Sequence, residues 1–235
     1  LIAGFLEYLA IDNPGLAEFI HPRRDLVGEK TTIGVAEHML FFGKFAHGRF
    51  LWSEERRERA LSPLFATRLN QALAIALQSA ADAGAETELF GSDRLLSLPH
   101  YQSDPAGLGD TGKELVELVR RADGLLIASP GYHGTVSGLV KNAIDYLEET
   151  ARDERVYLDG VPIGLIVTAY GWQAVGSTLA ALRSIVHSLR GWPTPLGVGI
   201  NASGGIFNDG ICADAGVNEQ LKLAAQQVMQ RAETR

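Results

Sequence analysis

The chain has 235 residues, 46% hydrophobic and 21% charged, which is the composition of a packed globular protein and excludes a disordered one. Its 21 basic and 28 acidic residues give a formal charge of −7, with no basic run longer than a pair such as Arg56-Arg57, so neither nucleic acid nor an anionic membrane is expected as a partner. The single cysteine, Cys212, excludes an intrachain disulfide and a cysteine-based metal centre, and none of the six histidines has a two-histidine helical ligand spacing, so no metal site is expected.

Residues 1–59 form an atypical first segment. They hold His21, His38 and His47 and a charged run from Glu54 to Arg59, and their strand candidates are 31–36 (TTIGVA) and 49–52 (RFLW). A second unit, 60–235, alternates between helical and strand-like periods. Leu69, Ala72, Leu73, Ala76, Leu77 and Ala80 make a helical stripe within 66–83, and Gly84 stands where a helix C-cap is expected. Residues 85–90 alternate like a strand, and 112–122 give a second helix with Leu115, Leu118, Val119 and Ala122 on one face. The continuous apolar run 124–129 (GLLIAS) predicts a strand buried on both faces, as in parallel sheets.

Ser137 is a plausible N-cap for the next helix, whose apolar side is Leu139, Val140, Ala143, Ile144 and Leu147. A second doubly buried strand is expected at 162–169, a helix at 177–190, a strand at 195–200 and a closing helix at 218–232. Strand and helix alternate with connections too long for hairpins, which predicts an α/β fold with a doubly wound parallel sheet. The longest apolar stretch, 161–169, is about half a membrane span. The expected location is the cytoplasm, and a chain that begins at Leu1 rather than Met leaves open a missing or processed start.

In an open parallel sheet, ligands bind beyond the carboxyl ends of the strands. Two loops leave the apolar strands there. One is Ser129-Pro130-Gly131-Tyr132-His133-Gly134-Thr135, and the other runs from Ala169 through Tyr170, Gly171 and Trp172 to Ser177. Both carry glycine, which lets main-chain N–H groups approach a ligand, and aromatic side chains. Together they suit a planar heterocycle with carbonyl oxygens. Taken singly, each also reads as ordinary turn chemistry with an aromatic lid. The segment Pro99-His100-Tyr101 reads as a stiff loop after the second strand, with a place on the border of the same cleft as the alternative.

The stretch ASPGYHGTVSGLVKNAIDYLEE, residues 128–149, resembles the signature of the NADPH-dependent FMN reductase family, with its Ser-Pro-x-Tyr-x-Gly loop and Lys-Asn-Ala-Ile-Asp helix. The resemblance extends over about residues 61–235 and takes in PIGLIVTAYGW, TLAALRSIV with Arg183, and FNDGICADAGVNEQL. It implies a flavodoxin-like sheet of five parallel strands in the order 2-1-3-4-5, with FMN at the strand ends. It also implies NADPH or NADH as hydride donor and a small electron acceptor such as free flavin or a quinone. Carried over by position, Pro130, Gly131, Tyr132, His133 and Gly134 would contact one side of the flavin ring, and Tyr170, Gly171 and Trp172 its opposite edge. No residue is assigned as an acid–base catalyst, because the cofactor carries the chemistry. A homodimer or homotetramer is implied, built on the helix near 138–149, with Leu139, Val140 and Tyr146 either extending its apolar surface or covering the sheet.

The sequence departs from the family upstream. The family's first strand runs directly into a phosphate-binding Gly-Ser-x-Arg-x-x-Ser loop, whereas here residues 59–66 lack that pattern. Ser62, Thr67 and Arg68 stand in for it. The first strand is central in this sheet, so another segment must fill its place. Residues 31–36 are favoured and 49–52 are the alternative. Two functions follow: an NAD(P)H-dependent FMN oxidoreductase, or a non-catalytic flavin-binding or interaction module with a degenerate phosphate loop.

Overall fold

The computed structural model describes residues 39–44, 68–104, 107–204, 206–208 and 211–234, the first of these stretches through its backbone. Strand β1 spans Met39–Lys44. Helix α1 (Arg68–Asp82) buries the whole Leu69-to-Ala80 stripe and is closed by Gly84 at φ +96°, the left-handed cap its sequence predicts. Strand β2 (Glu86–Phe90) is followed by a short helix α2 (Ser92–Ser97) that periodicity did not single out, and then by α3 (Gly109–Arg121).

Strand β3 (Gly124–Tyr132) continues three residues past Ser129 and folds back on β4 (Thr135–Val136). Helix α4 (Gly138–Asp145) starts at its expected N-cap: the Ser137 hydroxyl oxygen accepts from Val140 N at 3.2 Å. It tightens into a 3₁₀ turn, Tyr146–Thr150. Strand β5 (Pro162–Ala169), helix α5 (Trp172–Ser188), strand β6 (Trp192–Asn201), a small hairpin of β7 (Phe207–Asn208) and β8 (Ile211–Cys212), and helix α6 (Ala215–Glu233) complete the order.

The main sheet runs β2-β1-β3-β5-β6, with β4 attached to β3. Its pairs β3–β5 and β5–β6 are parallel. Successive residues of β3 serve opposite faces. Leu125 and Ile127 join a core with α3, α4 and α5, while Leu126 and Ala128 join one with α1 and α6. That division is the two-sided covering which a continuous apolar strand requires.

The expectation of an entirely parallel sheet fails at β1. It is antiparallel to both neighbours, with Leu40 opposite Phe90 on one side and Ile127 on the other. The strand between β2 and β3 is Met39–Lys44, not 31–36 or 49–52, both of which lie outside the described residues. The physical reason is that ladder hydrogen bonds and an apolar run such as MLFFG fill a sheet interior in either direction. The boundary expected at residue 59 also lies outside the described residues.

Of the three apolar residues singled out near α4, Leu139 is half-buried. Val140 and Tyr146 are fully buried in the chain's own core and therefore cover the sheet.

Candidate functional site

The carboxyl ends of β3 and β5 lie side by side, with Pro130 level with Thr168. The first predicted loop is a hairpin rather than an open turn. Gly131 pairs with Val136 and Tyr132 with Thr135, and His133 (φ +50°) and Gly134 (φ +87°) form the two-residue turn. Positive φ at both turn positions matches the twist of the flanking strands, and glycine at the second takes it without strain. The second predicted loop is shorter than expected, because α5 already begins at Trp172, leaving Tyr170 and Gly171 as the connection. Tyr132, Tyr170 and Trp172 are 45%, 77% and 66% exposed and form an aromatic rim on this edge.

The two segments touch. A Cβ added at Gly131 would stand 2.8 Å from Thr178 Oγ1, 3.1 Å from Ala169 Cβ and 3.2 Å from the Ala174 carbonyl oxygen. Glycine is what lets the hairpin lie flat against the first turns of α5. A ring-sized gap is absent at Gly131, so a flat ligand has to rest on the surface that hairpin and helix make together. An open groove of about 460 Å³ starts at Trp172 and follows β6 between α5 and α6, past Val175, Leu179, Gly197, Gly199 and Val217. None of residues 130–136 lines it.

Two buried hydroxyls fix the hairpin, and a third caps the helix that follows it. Ser129 Oγ donates to the Pro130 carbonyl at 2.9 Å and accepts from Ser137 N at 3.1 Å, tying together the two feet of the hairpin. Ser137 caps α4, and Thr178 Oγ1 donates to the Thr135 carbonyl at 3.3 Å. Sequence reasoning missed Thr178. The available signal was a hydroxyl at a core position of α5, in register with Val175, Leu182 and Val186.

The Lys-Asn-Ala-Ile-Asp segment divides its work. Ala143 and Ile144 are core, and Lys141 pairs with Asp145 on the surface. Asn142 brackets a loop: its Oδ1 accepts from Tyr101 N and its Nδ2 donates to the Pro99 carbonyl, both at 2.9 Å. Tyr101 then packs on Tyr146 and donates to Glu149 Oε1 at 2.9 Å. Burial, helped by the Glu149 carboxylate, pushes the Tyr101 phenol up to about 12.

The remaining predicted residues concern a phosphate. Ser62 and Thr67 lie outside the described residues, and Arg68 is the first residue of α1. Because α1 ends at the start of β2, its amino end points to the carboxyl edge of the sheet, a favourable place for an anion. Strand β1 does not deliver chain to that edge. Its last residues, Gly43 and Lys44, lie beside Gly124 and Glu86, where β3 and β2 begin. Among the described residues there is no cluster of three potential metal ligands, and no helix is long and apolar enough to cross a membrane.

The family model for NADPH-dependent FMN reductase matches residues 64–204, more than half of the chain. The chain belongs to this family. Among curated relatives, the FMN-dependent NADPH-azoreductase of Staphylococcus aureus (strain USA300) is 39% identical over 83 residues, which is 35% of this chain and 40% of that protein. The chain thus spans less than half the length of the curated relatives it matches. Solved structures support the family's fold. An oxidoreductase from Corynebacterium diphtheriae aligns over 74% of this chain and 92% of its own, at 18% identity and a TM-score of 0.53. The flavoenzyme NAD(P)H:(acceptor) oxidoreductase FerB from Paracoccus denitrificans aligns over 71% and 90%, at 24% identity and 0.51. RosB, solved with 8-demethyl-8-formylriboflavin-5'-phosphate, aligns over 74% and 75%, at 16% identity and 0.59.

Proposed function

We propose that the chain is an NAD(P)H-dependent FMN oxidoreductase. Its flavin-binding domain is 60–235, a flavodoxin-like sheet of order 2-1-3-4-5 in which the first strand is reversed. The observation that carries this reading is the union of the β3–β4 hairpin and the start of α5 at one sheet edge, rimmed by Tyr132, Tyr170 and Trp172. FMN, when bound, would supply the hydride-transfer chemistry between NADPH or NADH and an acceptor such as free flavin or a quinone.

The chain's own residues bind and orient. Main-chain atoms of Pro130 to Gly134 hold one side of the ring, and the N–H groups of residues 131–134 steady negative charge on it. Tyr170, Gly171 and Trp172 hold the opposite edge, and Ser62, Thr67 and Arg68 take the phosphate at the amino end of α1. The protein works in the cytoplasm as a homodimer or homotetramer, which light scattering on the purified protein tests.

Titrating the purified protein with FMN while following flavin fluorescence tests the reading, and added NADPH should then be consumed in step with the acceptor. A second reading is favoured by one observation. Strand β1 ends at the wrong edge to feed a phosphate loop, which suits a non-catalytic flavin-binding or interaction module. FMN binding without NADPH consumption would select a flavin carrier, and the absence of both would select the interaction module.

A further inference from the structure

We infer that Thr178 is a positioning residue that sets how the hairpin and the aromatic start of α5 are presented to the flavin. The inference rests on the reading that these two segments border FMN. Thr178 is fully buried, and its hydroxyl has a partner in the hairpin, the Thr135 carbonyl at 3.3 Å. Its Oγ1 also forms the surface on which Gly131 lies, since a Cβ at Gly131 would come within 2.8 Å of it. One side chain therefore both pulls on the outer strand of the hairpin and limits the approach of the inner one.

The other end of this strut is Trp172. Thr178 lies six positions further along the helix, a rise of about 9 Å through a rigid element. The feet of the hairpin are already fixed by Ser129 and Ser137, so what Thr178 adds is the tilt of the hairpin body toward α5. Tilt decides where Tyr132 stands relative to Trp172, and hence the fit of a ring contacting both. A threonine is suited to this role because its β-branched side chain has few rotamers in a helix.

The test compares the wild-type chain with Thr178→Val, which keeps the shape and removes the hydrogen bond, and Thr178→Ser, which keeps the hydroxyl. Dissociation constants for FMN and the visible absorption band of the bound flavin are measured for each, with thermal melts as a control on folding. Thr178→Val is expected to weaken FMN about fivefold, the worth of one ordinary hydrogen bond, and to displace the flavin band. Thr178→Ser should restore both. A Thr178→Val protein that binds FMN like wild type, with an unmoved band, overturns the inference and leaves the oxidoreductase reading intact. A wild-type protein that binds no FMN overturns both. Should valine prevent folding, Thr178→Ala deletes the hydroxyl without adding bulk and is judged by the same two measurements.

Discussion

Replacing Gly112 by alanine sets two effects against each other. Gly112 is the fourth residue of α3, where alanine is the better helix former by about 1 kcal/mol. The new Cβ would, however, stand 2.3 Å from Tyr146 Cε1, 3.0 Å from Cδ1 and 3.2 Å from Cζ. Carbon atoms in contact sit about 3.5–4.0 Å apart, so the ring would have to retreat by roughly 1 Å. It has little room to do so. Tyr146 is fully buried, its hydroxyl donates to the Pro99 carbonyl at 2.9 Å, and Tyr101 packs on it with 5.2 Å between ring centroids.

Overpacking of this kind costs about 1–3 kcal/mol, and displacing the phenol endangers a hydrogen bond worth about 1 kcal/mol more. The net expectation for Gly112→Ala is a loss of about 1–3 kcal/mol. For a chain of this size that lowers Tm by roughly 3–9 °C in a calorimetric or circular-dichroism melt. In a Tyr146→Leu background, which removes the ring carbons in the way, the same substitution should cost clearly less. An unchanged or higher Tm for the single variant, or an equal loss in both backgrounds, would refute the reasoning.

Tyr101 makes stability pH-dependent at the alkaline end. Its phenol is raised from 10 to about 12 in the folded chain, so its contribution is complete below pH 10 and is lost as pH climbs through about 12. Tyr101→Phe should flatten the fall of Tm over that window, and a spectroscopic tyrosinate titration should lose its latest step. Arg183 donates to the Thr194 and Pro195 carbonyls at 3.0 and 2.9 Å, and Gln227 Oε1 accepts from Leu196 N at 3.0 Å, so side chains cover part of the outer edge of β6. The double variant Arg183→Met with Gln227→Leu should expose that edge and self-associate at high concentration in light scattering. Gly134→Val, at φ +87°, forces a β-branched residue into the left-handed region and should cost about 1–3 kcal/mol in denaturant unfolding, while also weakening FMN binding.

The helices and parallel strands of the C-terminal two-thirds were legible because burial writes a period into the chain. The stripe on α1, the Ser137 cap and the bounds of β5 appear in the structure as periodicity gave them. Strand direction leaves no such mark. An apolar run reads alike in both senses, so MLFFGK at 39–44 carried no sign that it would run against its neighbours. The hairpin had a local cue, since His133-Gly134 is a residue pair able to take positive φ in succession, but two-residue β4 is too short to show alternation. Thr178 illustrates what no local pattern holds. Its meaning comes from a contact with Thr135, 43 positions away in the chain.

The side chains that anchor the hairpin are alcohols, contributed by Ser129 and Thr178. Neither of them ionises in water, and neither carries a charge for counterions to screen. The surface offered to a ligand at this edge should therefore hold its shape across a wide span of ionic strength, so any salt dependence of ligand affinity would report charge pairing of the ligand with groups such as Arg68.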